Sequence, residues 1–181
     1  VLMKRYKIYP ETTSFYYCTS TILEWQCVFL EEKYFQVIID SLNYCRQYKG
    51  LYLLGYVIMP NHIHYIISCK EGHDLAGIVR DFKRYTSTEI CKLLVQDNKK
   101  LLLYIFKRAA KKQNTKIKIW QDEYHPVALT SEHWFGQKLE YIHANPLRKG
   151  FVKAPQDWKY SSARNWLLDE HDLISLDLDQ I

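Results

Sequence analysis

Leu51-Tyr52-Leu53-Leu54-Gly55-Tyr56-Val57-Ile58-Met59-Pro60-Asn61-His62-Ile63-His64-Tyr65-Ile66-Ile67-Ser68-Cys69 reads as a hairpin. Leu51 to Met59 and His62 to Cys69 are apolar, β-rich runs, and Pro60-Asn61 between them is a turn pair. Side chains on a strand alternate faces with a period of two. His62 and His64 therefore leave the same face, and Ile63 points the other way. Two imidazoles on one face of one strand make half of a metal site.

Elements on either side extend the pattern. Ser14 to Thr21 is aromatic and hydroxyl-rich, which predicts a strand. Glu31 to Tyr48 carries Tyr34, Phe35, Ile38, Ile39, Leu42 and Cys45 at helical spacing, with Gly50 suited to the C-terminal cap. After the Lys70-Glu71-Gly72-His73 turn, Asp74 is placed to cap a helix reaching about Leu94, with Leu75, Ile78, Val79, Phe82 and Ile90 inward. Residues 97–119 are ambiguous: Leu101 to Phe106 reads as buried and the basic stretch after it as exposed. A short strand is expected over Pro126 to Leu129. Ser131 then caps a helix reaching about Ala144, ended at Asn145 because Pro146 biases its neighbour away from helical dihedrals. A last short helix is expected within Asp157 to Trp166. The order β-α-β-β-α-β predicts an α+β fold, the split β-α-β antiparallel sheet of ferredoxin-like and RRM-like domains. Its helices would pack on one face and leave the other free to hold a ligand.

The bulk numbers bound the reading. A chain of 181 residues with 48% hydrophobic content is most simply one globular domain with a proper core. No apolar run approaches the roughly 20 residues of a membrane span, and no signal-peptide pattern opens the chain, so a cytoplasmic location and no membrane partner are expected. Cys18, Cys27, Cys45, Cys69 and Cys91 are odd in number with no CxxC pair, which predicts reduced, mostly buried thiols. The net charge of +5 decides little, but residues 99–118 hold eight basic side chains and no acid. Such a block contacts phosphates or is a solvated face.

On the helix after Ser131, Phe135, Leu139 and Ile142 form an inward stripe. Trp134, Lys138, Tyr141 and Asn145 form the next one, so a hydroxyl, an ammonium and an amide lie side by side. If that stripe covers the sheet face bearing His62 and His64, Asn145 can complete a metal site and Tyr141 can point at a phosphate held there. Two imidazoles plus an amide or carboxylate oxygen suit Mg²⁺ or Mn²⁺, which keep positions for water and substrate phosphate. A phenol, pKa about 10, is a weak nucleophile at neutral pH. A divalent ion helps by polarising the phosphoryl group and fixing it in line. The competing reading is two packed histidines, a rim tyrosine and a helix-end asparagine.

These residues resemble a known family. The stretches Gly55 to His64, Phe82-Lys83-Arg84-Tyr85-Thr86-Ser87, Ile119-Trp120-Gln121-Asp122-Glu123-Tyr124, Tyr141 to Val152 and Asp157-Trp158-Lys159-Tyr160-Ser161-Ser162 resemble, in order, the Y1 tyrosine transposases of the IS200 type. The likeness is greatest to the REP-associated tyrosine transposases (RAYTs), within the HUH endonuclease superfamily, where Ile63 fills the apolar U position. The resemblance implies one IS200-like transposase domain over residues 1–181, with an accessory C-terminal segment at about 151–181. It implies a single-stranded DNA endonuclease and strand transferase acting near imperfect hairpins, such as repetitive palindromic elements or insertion-sequence ends. Tyr141 falls on the nucleophile that takes a 5′-phosphotyrosine link and frees a 3′-OH. His62, His64 and Asn145 fall on the ligands of Mg²⁺ or Mn²⁺. Insertion-sequence members act as homodimers with sites shared in trans, whereas RAYTs can be monomers, and the residues leave this open.

Phosphate contacts are expected from Lys83, Arg84, Arg148, Lys149 and the 107–118 cluster, including Lys116 and Lys118. Tyr85, Trp120 and Tyr124 could stack splayed bases, with core packing as the alternative for each. The acidic tail (Asp169, Glu170, Asp172, Asp177, Asp179) could cover a basic groove when DNA is absent. An alternative from another class is a non-catalytic nucleic-acid-binding module on the same scaffold. Such a module would carry aromatics where His62 and His64 stand. A third reading, a metal hydrolase using activated water, makes Tyr141 a bystander.

Overall fold

The computed structural model describes residues 15–112, 116–122 and 125–181. Strands β1 (Phe15–Thr21), β2 (Leu51–Met59), β3 (His62–Cys69) and β4 (Val127–Leu129) form one antiparallel sheet in the order β2-β3-β1-β4. The helices are α1 (Glu32–Tyr48), α2 (Leu75–Gln96), α3 (Lys100–Lys112), α4 (Glu132–Arg148) and α5 (Ala163–Leu168). This is the expected split β-α-β arrangement, with each boundary of the hairpin where the sequence puts it.

Helices α1 and α2 cover one face of the sheet. Ile38, Ile39, Leu42, Phe82 and Ile90 pack there against Leu53, Tyr56, Ile58, Ile63, Tyr65 and Ile67. The other face is not free, as the element order had suggested. Phe135, Leu139 and Ile142 of α4 bury Leu54, Val57, Met59 and Ile66 in a second apolar cluster. A bulge makes both layers fit β2. Leu53 pairs with Ile67 and Gly55 with Ile66, so Leu54 is an extra residue. Odd-numbered Leu51 and Leu53 face α1 and α2 before it, and even-numbered Tyr56 and Ile58 do so after it. A side chain at Gly55 would lie 2.7 Å from the Leu139 Cδ1 atom, so glycine permits the close approach of α4.

Three local expectations are corrected. Asp74 is the N-cap of α2 by position, but its side chain makes no cap hydrogen bond. Residues 100–112 are helical, and within the Leu101–Phe106 run only Ile105 and Phe106 are buried, while Leu101 and Tyr104 are exposed. Helix α4 does not end at Asn145: it continues through Pro146 to Arg148, and Ser131 does cap its start by accepting from the Trp134 N–H. Proline removes one donor and crowds the preceding turn. Within a turn of the helix end the cost is small, and beyond Pro146 the backbone bonds resume: the Lys149 N–H donates to the Asn145 carbonyl and the Phe151 N–H to that of Pro146.

The C-terminal segment protects the β2 edge. Ile58 N–H donates to the Tyr160 carbonyl, and Ser162 N–H to that of Tyr56. Asp177 accepts from Leu53 N–H at 2.8 Å and pairs with the Arg46 guanidinium through two bonds of 2.7 Å. Glu170 pairs with Arg164 and Asp169 with His171. Of the acidic tail residues, Asp177 is thus engaged at the β2 edge. None of the five cysteines is in a disulfide; Cys18 and Cys45 are buried, Cys69 and Cys91 half-buried and Cys27 exposed, so burial is less general than expected. Among the described residues no helix is long and apolar enough to cross a membrane.

Candidate active site

The register of β3 between β2 and β1 places His62 beside Met59 and Thr21, and His64 beside Val57 and Thr19. The two imidazoles share a face as their spacing requires, with ring centroids 4.6 Å apart. Both are buried, at 7% exposure. Burial pushes His62 down to about 4, helped by the Lys149 charge. Burial pushes His64 down to about 3, helped by His62 and Lys138. Both rings are therefore neutral at neutral pH, the form in which imidazole binds a metal.

Each ring is oriented through Nδ1. For His62, Nδ1 lies 2.7 Å from the Asn61 Oδ1 atom, which accepts its proton and leaves Nε2 with a lone pair. For His64, Nδ1 lies 2.8 Å from the hydroxyl of Tyr17 and 2.8 Å from that of Thr19. Tyr17 stacks on His64, with centroids 5.5 Å apart at 24°. Burial first, opposed by a hydrogen bond from Thr19, pushes its phenol up to about 12, so it stays a neutral hydrogen-bonding partner.

Helix α4 brings Tyr141 to this cluster. Its ring is edge-on to His64 at 5.5 Å and to Tyr17 at 6.2 Å, and the residue is 37% exposed. Lys138 Nζ lies 4.8 Å from the centre of the Tyr17 ring and 5.8 Å from that of Tyr141, and Arg148 Cζ lies 5.3 Å from the latter. The helix is fastened two residues beyond Tyr141, where the His143 Nε2 atom meets the Ser162 Oγ atom at 2.9 Å in the interior.

Asn145 follows one turn after Tyr141 and is 6% exposed. Its Oδ1 atom is, among the described residues, the one buried side-chain polar atom without a hydrogen-bond partner. A buried carbonyl oxygen left unpaired is costly unless a cation or water completes it. Among the described residues no three His, Cys, Asp or Glu side chains gather as a metal site. What this side of the sheet offers is two neutral imidazoles and an unpaired amide oxygen, donor types that fit a hard divalent ion retaining water and phosphate ligands.

The other expected contacts divide. Arg148 and Lys149 are exposed, and both act on the cluster, Arg148 on the Tyr141 ring and Lys149 on the His62 charge state. Arg84 and Tyr85 line a cleft of about 690 Å³ with Tyr44 and Lys49, in the helical layer on the opposite side of the sheet. Lys83 is half-buried and donates to the Gln121 carbonyl at 3.2 Å. Lys118 is paired with Asp122, and Lys116 is exposed. Trp120 cannot stack on a base: it is 5% exposed, packs on Phe29 and Phe82, and donates its indole N–H to the Thr86 hydroxyl. Tyr124 lies outside the described residues. Tyr17, Thr19 and Asn61 were not legible as site residues; the alternation of Tyr17 and Thr19 becomes a signal only once β1 is known to pair with β3.

The chain is similar to known proteins in both sequence and fold. The family model for IS200-like transposases matches residues 28–145, well over half of the chain. An Escherichia coli K12 REP-associated tyrosine transposase is 22% identical over 129 residues, covering 71% of this chain and 64% of its own length. A Haemophilus influenzae protein described as a candidate REP-associated tyrosine transposase is 27% identical over 106 residues, covering 58% of this chain and 54% of its own length. The chain thus spans between about half and two thirds of these curated relatives. A solved REP-associated tyrosine transposase bound to a REP hairpin has the same fold, with a TM-score of 0.61 at 19% identity, covering 98% of this chain and 90% of that one.

Proposed function

The chain belongs to the IS200-like transposase family, and from that premise we propose that it cleaves and rejoins single-stranded DNA beside a hairpin, with Tyr141 as the nucleophile and His62, His64 and Asn145 as the holders of Mg²⁺ or Mn²⁺. The observation that carries this reading is the meeting of Tyr141 with His64, ring against ring at 5.5 Å, on the sheet face that bears both imidazoles. The association of its relatives with REP elements, and of one with a REP hairpin, supports hairpin DNA as the substrate class.

The residues divide the work. Tyr141 is exposed enough to reach a strand crossing the surface and is held on a helix pinned by the Ser131 cap at its start and by the His143–Ser162 contact two residues beyond the phenol. Its phenol oxygen attacks the phosphorus and gives up its proton, and the bond from phosphorus to the 3′-oxygen breaks. That oxygen leaves, gains a proton and becomes a free 3′-OH, while the 5′-phosphate stays on Tyr141. Reversal of the same step on a new 3′-OH rejoins the strand, because the phosphotyrosine ester conserves the bond energy. Lys138, Arg148 and Lys149 draw the phosphate in and offset its charge. A bound divalent ion supplies Lewis-acid polarisation of the phosphoryl oxygen. Asn61, Tyr17 and Thr19 hold the two imidazoles in the orientation and tautomer that binding requires.

The test is a denaturing gel of the protein incubated with Mn²⁺ and a labelled hairpin carrying single-stranded flanks. A covalent protein–DNA adduct that disappears in Tyr141→Phe is the expected result. Cleavage that survives Tyr141→Phe would make the protein a hydrolase using activated water, and binding without cleavage would make it a non-catalytic binding module.

A further inference from the structure

Trp25 stands beside His62 and is 59% exposed. Its indole is edge-on to His62, with centroids 6.0 Å apart at 71°. Trp120, Trp158 and Trp166 all donate their indole N–H groups inward, to Thr86, Ile58 and Leu54. Trp25 instead stands on a 3₁₀ turn, Leu23–Trp25, that contains no buried residue. Its aromatic face does no packing work for the core.

The backbone holds this position against its own preference. Glu24 and Trp25 are consecutive left-handed residues, with φ of 51° and 56°. Neither is glycine or asparagine, and a bulky side chain there is strained. Such a conformation persists only where the surroundings over-determine it. Here Leu23 N–H donates to the Ile119 carbonyl at 2.7 Å, and Trp25 N–H donates to that of Ile22 at 3.0 Å. The Asn61 side-chain NH₂ donates to the Trp25 carbonyl at 3.3 Å, while the same amide's oxygen holds His62. Arg108 pairs with Glu24 at 2.8 Å. One asparagine therefore holds both the histidine ring and the backbone that carries the exposed indole.

An exposed indole carried on a held backbone next to His62 has the chemistry of a stacking platform for a nucleobase. We propose that Trp25 stacks on an unpaired base adjacent to the scissile phosphate, beside the site that bears His62 and His64, and so sets which linkage of the strand is presented to Tyr141. The assignment rests on the proposed reading that single-stranded DNA crosses this site.

The test separates base stacking from phosphate binding and from chemistry. The intact chain, in EDTA so that no cleavage occurs, is titrated with a fluorescein-labelled deoxyadenosine dodecamer and with an abasic strand of the same length. Trp25→Leu should weaken binding of the dodecamer about tenfold and leave the abasic strand within about twofold. Trp25→Phe, which keeps a π-face, should recover most of the loss. Equal weakening for both strands, or none for either, overturns the role of Trp25 while leaving the nuclease reading intact. A wild-type chain that binds neither strand also overturns the stacking role, and the nuclease reading is then decided separately by the hairpin gel with Tyr141→Phe.

Discussion

The Nδ1 atom of His64 sits 2.8 Å from the phenol oxygen of Tyr17, a residue on the neighbouring strand, and the Thr19 hydroxyl stands at the same distance. The imidazole is thus oriented by two hydroxyls, either of which can accept its proton. Tyr17→Phe and Thr19→Val should each cost little alone, because the other hydroxyl remains. Together they should lower Mn²⁺ affinity about 10- to 100-fold, the range for loss of a ligand's outer partner. Calorimetric titration of the four proteins checks this, and additive single effects would count against shared support.

Asn145 should behave unlike an ordinary buried asparagine. Its Oδ1 atom has no protein partner, so Asn145→Ala removes an unpaired acceptor rather than a hydrogen bond. In EDTA its stability should stay within about 1 kcal/mol of wild type. Saturating Mn²⁺ should raise the Tm of the wild type and not of the variant, since binding to the folded state alone stabilises by about 2.7 kcal/mol at 100 times Kd. A variant that keeps the full Mn²⁺ shift would remove Asn145 from the ligand set.

Acid should unfold this protein through its buried imidazoles. Burial lowers His62 to about 4 and His64 and His143 to about 3, against an ordinary value of 6.5. The unfolded chain therefore takes up protons near pH 6.5 that the folded chain refuses. The stabilising contribution is fully present above that pH and is lost as pH falls toward the folded values, by up to about 1.4 kcal/mol per pH unit per imidazole. Urea melts in EDTA at stepped pH should show this decline beginning above the carboxylate range, with a smaller slope in His143→Asn. A flat profile from about pH 7 to pH 5 would contradict it.

Among the basic residues, only those at the cluster should read as phosphate contacts. Arg148→Ala and Lys149→Ala should each reduce the slope of log affinity against log salt for single-stranded DNA by about 0.7. Lys118→Ala should leave it unchanged, because that ammonium is already paired with Asp122 and only 13% exposed. A slope change at Lys118 equal to that at Arg148 would move the DNA path toward residues 116–122.

Asp177 is expected to matter for stability and not for DNA. Its carboxylate joins Arg46 to the Leu53 N–H on the β2 edge. Asp177→Ala should cost about 1–3 kcal/mol in urea denaturation with unchanged affinity for hairpin DNA. A gain in affinity would instead restore the tail as a cover for a basic groove.

Much of this was written locally. Period-two alternation put His62 and His64 on one face, and the 3.6 period separated the Phe135, Leu139 and Ile142 stripe from the one bearing Lys138, Tyr141 and Asn145. The turn at Pro60-Asn61 and the Ser131 cap are likewise short-range chemistry. Such signals survive without knowledge of the fold because they depend on residues a few positions apart.

What the tertiary structure decided lies between segments distant in the chain. The pairing of β1 with β3 selected Tyr17 and Thr19 as partners of His64, and the bulge at Leu54 let β2 serve two opposed helical layers. Packing sent Trp120, a stacking candidate by sequence, into the core and left Trp25 outside it on a strained turn. It also carried α4 through Pro146 and left one amide oxygen, that of Asn145, buried and unpaired. Register, burial and hydrogen-bond satisfaction are set by the whole set of contacts at once, so no local window contains them.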